Sequence, residues 1–178
     1  MRRRSNAKVS IGRNTRSVRD TVDITVRSDS QELTLEIGGA LASVLTGGDV
    51  LCLEGDLGAG KTVLVRGFAR ARGYEQPVPS PTFTIINPYP EIGLCHVDAF
   101  RLSGSEELLE AGMDEYLDES WVCAVEWAQK VRSALPARAL EVTITFGPRD
   151  DDRSVRVRAA GGWDGKAAQI EKGLGRYA

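Results

Sequence analysis

The stretch that most restricts what this chain can fold into is Gly55-Asp56-Leu57-Gly58-Ala59-Gly60-Lys61-Thr62. It fits G-x-x-x-x-G-K-[ST], the pattern of a phosphate-binding loop. Such a loop works only between a strand and a helix, and the flanks agree. Val50-Leu51-Cys52-Leu53 is a short apolar run after Gly47-Gly48, as in a buried strand. Downstream, Leu64, Val65, Phe68 and Ala69 recur at helical spacing, and Gly73 supplies a stop. Backbone N–H groups and a helix N-terminus then surround an anion, and the glycines let the main chain approach it. Lys61 would bridge outer phosphates as a point charge, and the Thr62 hydroxyl would meet Mg²⁺. The nucleotide contacts expected from the loop run from Asp56, Leu57, Gly58, Ala59 and Gly60 through Lys61, Thr62 and Val63.

The rest of the chain is read around that unit. With 178 residues, 42% hydrophobic and 27% charged, it suits one globular domain with a sizeable core. No apolar run approaches the ~20 residues of a membrane span, and the N-terminus lacks the apolar stretch of a signal peptide. Cys52, Cys95 and Cys123 each fall inside an expected strand without metal-ligand spacing. They read as small buried hydrophobes of a cytoplasmic protein. His96 is the only histidine, which excludes a multi-histidine metal centre. Residues 1–20 carry seven Arg or Lys against one acid, a net +6 in a chain of −2, so the remainder carries −8. We read 1–21 as a disordered basic arm, which can touch RNA phosphates but reads first as a solubilising extension to an acidic body, and 22–178 as the domain.

Along that domain, Val22–Val26 alternates as a strand. Asp29 or Ser30 caps a helix whose buried stripe is Leu33, Ile37, Leu41 and Val44 or Leu45. Pro77, Pro79 and Pro81 make Gln76–Thr82 a loop. Strands are expected at Phe83–Asn87 and Gly93–Asp98, a short acidic helix from Ser105, and a central strand at Trp121–Val125. Leu140–Phe146 and Ser154–Arg158 form a C-terminal β-hairpin, and residues 164–175 a closing helix. Strand–helix alternation implies an α/β, P-loop NTPase-like three-layer fold, its sheet mixed but mainly parallel.

Two acids stand at or near ends of apolar strands: Asp98 after Leu94–Val97 and Glu126 after Val122–Val125. A phosphate loop needs a second carboxylate there, to hold Mg²⁺ or to orient the attacking water. Spacing does not say which does which. Thr82, in Ser80-Pro81-Thr82, suits a loop that senses a γ-phosphate, though a Pro-stiffened turn reads the same way. Trp127 stacks on a ligand or partner, or simply packs. His96 reads as a satisfied, semi-buried residue, and Arg66, Arg70 and Arg72 as a solvated helix face.

Taken in order, five blocks resemble the TsaE (YjeE) family. They are the phosphate loop, Ser80-Pro81-Thr82-Phe83-Thr84, His96-Val97-Asp98-Ala99-Phe100-Arg101-Leu102, Glu106-Glu107-Leu108 and Val125-Glu126-Trp127. The resemblance runs from about Ser28 to Arg158. It implies the ATPase subunit of the bacterial machinery that forms threonylcarbamoyladenosine at position 37 of tRNAs. By position it implies Lys61 and Thr62 at phosphate and Mg²⁺, Thr82 in a switch-like loop, and Asp98 and Glu126 as essential carboxylates. Glu126 matches the direct Mg²⁺ ligand, Trp127 the family's V-E-W tryptophan, and Gln31 and Arg153 lie near its adenine pocket. It implies TsaD and TsaB as partners, tRNA reached through them, and no membrane. The chain departs from the family where Phe100 replaces a common Tyr and Ala128 a frequent Pro.

Three other readings start from the same loop, one of them a nucleotide-gated adaptor whose turnover in isolation is negligible. A small-molecule kinase would need an arginine-bearing lid, but Ser103–Ser120 has no Arg or Lys. A GTPase switch would need N-K-x-D, and none of Asn6, Asn14 and Asn87 precedes a Lys.

Overall fold

A computed structural model of the chain describes residues 21–163 and 165–178. The basic arm expected at 1–21 lies outside these residues except for Thr21, which opens the first strand. In chain order the elements are β1 (Thr21–Ser28), α1 (Gln31–Ala42), β2 (Val50–Glu54), α2 (Lys61–Ala71), β3 (Ile86–Tyr89) and β4 (Leu94–Asp98). There follow α3 (Ser105–Glu110), β5 (Val122–Glu126), β6 (Leu140–Phe146), β7 (Arg153–Ala160) and α4 (Lys166–Leu174).

Among the described residues the strands form one seven-stranded sheet in the order β1-β7-β6-β2-β5-β4-β3. β6, β2, β5 and β4 are mutually parallel, while β1, β7 and β3 join antiparallel. The parallel strands β2, β4 and β5 therefore end at one edge, with Leu53 and Asp98 both registered on Glu126. That edge is where open α/β sheets place ligands.

Alternation along the central strands builds two apolar layers. Leu51, Leu53, Leu94, Val122 and Ala124 face one cluster with Ile37, Leu41, Leu64, Phe68 and Ile170 from α1, α2 and α4. Val50, Cys52, Cys95, Val97, Cys123 and Val125 face the other, closed by Leu108, Met113, Val131 and Leu135. Each fully buried Leu or Phe contributes roughly 1.5–3 kcal/mol. The three cysteines are thus buried apolar filling, with no disulfide. Burial pushes the Cys52 thiol up to about 12. The α/β layering with a mixed, mainly parallel sheet and a closing hairpin is a P-loop NTPase-like fold.

Helix α1 starts where Ser30 accepts the Leu33 N–H at 3.3 Å, so Ser30 rather than Asp29 is its cap. α1 and α2 lie unusually close, because a Cβ on Gly38 would fall 2.0 Å from the Leu64 carbonyl oxygen.

Four local expectations are corrected. The strand expected at Phe83–Asn87 forms later, at Ile86–Tyr89. The Pro81 carbonyl accepts the N–H groups of Thr84 (3.1 Å) and Ile85 (2.8 Å), so a turn replaces pairing and leaves Phe83 84% exposed. Gly93, at φ 59°, stands before its strand rather than in it. The central strand is Val122–Glu126, one residue later than expected, so Glu126 is its last residue. Arg72 is not a solvated side chain: it donates to the carbonyls of Ala42, Leu45 and Ile92 and ties the end of α2 to the end of α1.

Candidate active site

At the end of β2 the chain turns through Gly55–Gly60 into α2, whose first two residues are Lys61 and Thr62. Gly60 takes φ 111°, a left-handed conformation open to glycine, and this bends the loop around the helix N-terminus. The Lys61 ammonium folds back onto the loop, donating to the carbonyls of Gly55 (2.7 Å) and Asp56 (2.9 Å). It also lies 4.1 Å from the centroid of the Trp127 ring. Burial holds the Lys61 pKa below its ordinary value, against the opposing pull of Glu126, Asp98 and Asp56.

The Thr62 hydroxyl donates to Glu126 Oε1 at 2.7 Å. The same oxygen is 2.8 Å from His96 Nε2. Asp98, paired with Glu126 across β4 and β5, is occupied differently. Its Oδ2 accepts from Ser80 Oγ (2.8 Å) and Thr82 Oγ1 (3.0 Å), and its Oδ1 accepts from the Phe100 N–H (3.0 Å). One carboxylate thus meets the phosphate-loop helix and the other meets the Ser80–Thr82 loop.

Both acids are nearly buried, Asp98 at 4% and Glu126 at 3% exposure. They line a cleft of about 350 Å³ together with Leu57, Lys61, Thr62, Thr82 and Trp127. Gly58, Gly60 and Val63 belong to this cleft and to an adjoining one of about 150 Å³. The smaller cleft holds Gln31, Ala59 and Arg153, and Arg153 Nε donates to the Ala59 carbonyl at 3.0 Å. Asp56 contributes its backbone carbonyl to Lys61. A larger groove of about 680 Å³, along Arg66, Arg70, Tyr74 and Pro77, contains neither Asp98 nor Glu126 and no residue of Gly55–Thr62.

Three features escaped sequence reasoning. Ser80 stands with Thr82 on Asp98, which the spacing within Ser80-Pro81-Thr82 could have suggested. The Phe100 N–H reaches Asp98 only because the chain turns back after β4. His96 is fully buried rather than semi-buried, and its Nδ1 has no hydrogen-bond partner among the described residues, so only one of its two ring nitrogens is satisfied there.

The donor set suits a hard cation: a hydroxyl and carboxylate oxygens, with no thiol in the cleft. No group of three or more His, Cys, Asp or Glu among the described residues could hold a metal unaided. Mg²⁺ commonly binds through one or two carboxylates and substrate phosphates, which matches this sparse set. None of the helices formed by the described residues is long and apolar enough to cross a membrane.

The chain is similar to known proteins over these same elements. Residues 28–155 match the family described as "Threonylcarbamoyl adenosine biosynthesis protein TsaE". A tRNA threonylcarbamoyladenosine biosynthesis protein TsaE of Bacillus subtilis (strain 168) is 41% identical over 137 residues, covering 76% of this chain and 85% of that protein. One of the same description from Streptomyces coelicolor is 40% identical over 126 residues, covering 68% and 84%. The solved structure "Crystal structure of Bacillus subtilus YdiB" matches with a TM-score of 0.72 at 34% identity, covering 85% of this chain and 96% of that one.

Proposed function

The chain belongs to the TsaE family of tRNA threonylcarbamoyladenosine biosynthesis proteins, and from that premise we propose that it binds and slowly hydrolyses ATP with Mg²⁺ in the cleft at Gly55–Thr62. The observation that carries this reading is the meeting of Thr62 with Glu126 at the mouth of a phosphate-binding loop. In such loops a helix-start hydroxyl and a strand-end carboxylate serve the same metal.

The loop amides and the Lys61 ammonium would hold the outer phosphates, Lys61 exchanging its carbonyl partners for phosphate oxygens. Thr62 and Glu126 would hold Mg²⁺, which neutralises charge on the phosphates when bound. Asp98, held by Ser80 and Thr82, is the better placed of the two acids to orient a water and to couple the loop to the γ-phosphate. The water attacks γ-phosphorus, the bond to the bridging oxygen breaks, and ADP and phosphate leave. Gln31 and Arg153 would flank the adenine. The work of hydrolysis supports TsaB and TsaD in the cytoplasm, with tRNA reached through them. The kinase alternative is weakened by the 103–120 segment: Leu108 and Met113 anchor it in the apolar layer opposite α1 and α2.

ATP binding and turnover, measured with and without a TsaB–TsaD complex, test the reading. Lys61→Ala is expected to abolish binding or turnover, and the complex to raise wild-type turnover. Unchanged hydrolysis in Lys61→Ala sinks the site, and indifference to the complex removes the partners.

A further inference from the structure

His96 occupies an otherwise apolar strand, between Cys95 and Val97, and is 0% exposed. A residue serving packing alone at this position would be Leu or Val, as at Leu94 on the same face. An imidazole there gives up solvent contact at both nitrogens and recovers a partner at only one. Nδ1 has none among the described residues, and Nε2 lies 2.8 Å from Glu126 Oε1. A carboxylate that holds a cation is ionised and only accepts, so for Glu126 in that role Nε2 carries the hydrogen of this contact. Oε1 then takes two hydrogen bonds, from Nε2–H on one side and from the Thr62 hydroxyl on the other.

The strand register explains the reach. β4 and β5 are parallel, with His96 opposite Ala124 and Asp98 opposite Glu126. His96 and Asp98 therefore share a face with Glu126, Asp98 level with it and His96 two residues earlier, from where the imidazole reaches the Glu126 carboxylate. A carboxylate at a strand end has several rotamers, and a single hydroxyl partner leaves most of them open. A rigid buried ring removes that freedom.

We propose that His96 is a positioning residue: its Nε2–H fixes the Glu126 carboxylate against the Thr62 hydroxyl, so that the pair is set for a divalent cation before nucleotide arrives. Ligand-orienting partners of this kind govern metal affinity rather than nucleotide affinity. The inference rests on the Mg²⁺–nucleotide reading above and adds to it a residue outside the cleft lining.

Because His96 is the only histidine, ¹⁵N-imidazole NMR reads its ring without assignment. The spectrum is expected to show the proton on Nε2, protected from exchange. Glu126→Ala is expected to move that resonance, and Mg²⁺ with ADP to move it where ADP alone does not. A proton on Nδ1, or a ring indifferent to Glu126→Ala, overturns the proposal.

Titration of Mg²⁺ into the protein with a fluorescent ADP analogue gives the second measure. His96→Leu is expected to raise the Mg²⁺ requirement by about 10- to 100-fold, with metal-free nucleotide affinity within about twofold of wild type. His96→Gln, which keeps an N–H at similar reach, is expected to restore most of the loss. Equal weakening with and without Mg²⁺, no change in His96→Leu, or a Gln variant as impaired as Leu overturns the role. If His96→Leu does not fold, the Gln variant and the imidazole spectrum decide. Wild-type protein that binds the analogue without any Mg²⁺ dependence would fail the metal reading itself, and the proposal with it. The loss would then be visible before any variant is made.

Discussion

Thr62 and Glu126 are 64 residues apart in the chain and share a 2.7 Å hydrogen bond. A hydrogen bond to a charged group contributes about 1.5–3 kcal/mol, and here both partners are candidates for the metal. Thr62→Val keeps the side-chain shape and removes the hydroxyl. It is expected to weaken Mg²⁺-dependent ATP binding about 10- to 100-fold and to change metal-free binding far less. Calorimetric titration with and without Mg²⁺ measures both. Equal losses would place Thr62 at the phosphates rather than at the metal.

Trp127 carries a different prediction. The Lys61 ammonium lies 4.1 Å from its ring centroid, a cation–π separation. A phosphate in the loop competes for that ammonium and alters the environment of the indole. ATP is therefore expected to change the intrinsic fluorescence of the wild type, and Trp127→Phe to abolish the change. A signal that survives in Trp127→Phe would come from Trp121 or Trp163, and the contact would have no part in sensing nucleotide.

Gly67 in α2 offers a test of sign. Gly→Ala inside a helix ordinarily stabilises by roughly 0.5–1 kcal/mol. At Gly67 a Cβ would fall 2.0 Å from the Leu35 carbonyl oxygen, so α1 and α2 must separate. Overpacking costs about 1–3 kcal/mol, and the expected outcome is a lower Tm. ATP binding should weaken too, since α2 carries Lys61 and Thr62. Gly39→Ala is the control: its nearest neighbour, the Ala71 Cβ, would be at an ordinary 3.4 Å, and its Tm is expected to hold or rise.

Asp152 links stability to pH. Its carboxylate accepts from Arg149 Nε at 2.9 Å and from Arg27 Nη2 at 2.8 Å, closing the β6–β7 turn onto β1. The Arg149 hydrogen bond first, and then that of Arg27, hold its pKa below the ordinary 3.8, against desolvation. The unfolded state therefore binds the proton more readily. The stabilisation is present above the unfolded pKa and is lost as pH falls through the folded one. Thermal melts are expected to show wild type above Asp152→Asn near neutral pH, with the gap closing in acid below about pH 4. A gap independent of pH would mean that packing, not charge, is what Asn loses.

Much of the fold was legible because its signals are local. The Gly55–Thr62 pattern with an apolar run before it and a helical stripe after it needs only neighbours in the chain, and β2, the loop and α2 stand where that pattern puts them. The hairpin of β6 and β7 follows from alternation around a Gly-Pro turn. Phe83 shows the limit: its β-propensity is real, yet the Pro81 turn hydrogen bonds compete locally and win. Arg72 shows another. Helical spacing puts it on an outward face, but the chain end of α1 comes to that face and offers it carbonyls.

The site divides along the same line. The amino-acid sequence alone specified a phosphate-binding loop and acids at the ends of two apolar strands, because residue type and short spacing are enough for both. It also determined that Thr82 lies in a loop rather than an element. That Glu126 meets Thr62 while Asp98 meets Ser80 and Thr82, and that His96 stands behind Glu126, emerges with the folded sheet. Those pairings depend on the parallel register of β4 on β5 and of β5 on β2, a relation between segments far apart in the chain. A slip of one residue would turn every side chain of β5 to the opposite face and carry Glu126 away from the loop. The buried apolar layers on both sides of the sheet hold that register, so the chemistry of the edge is set by packing in the middle.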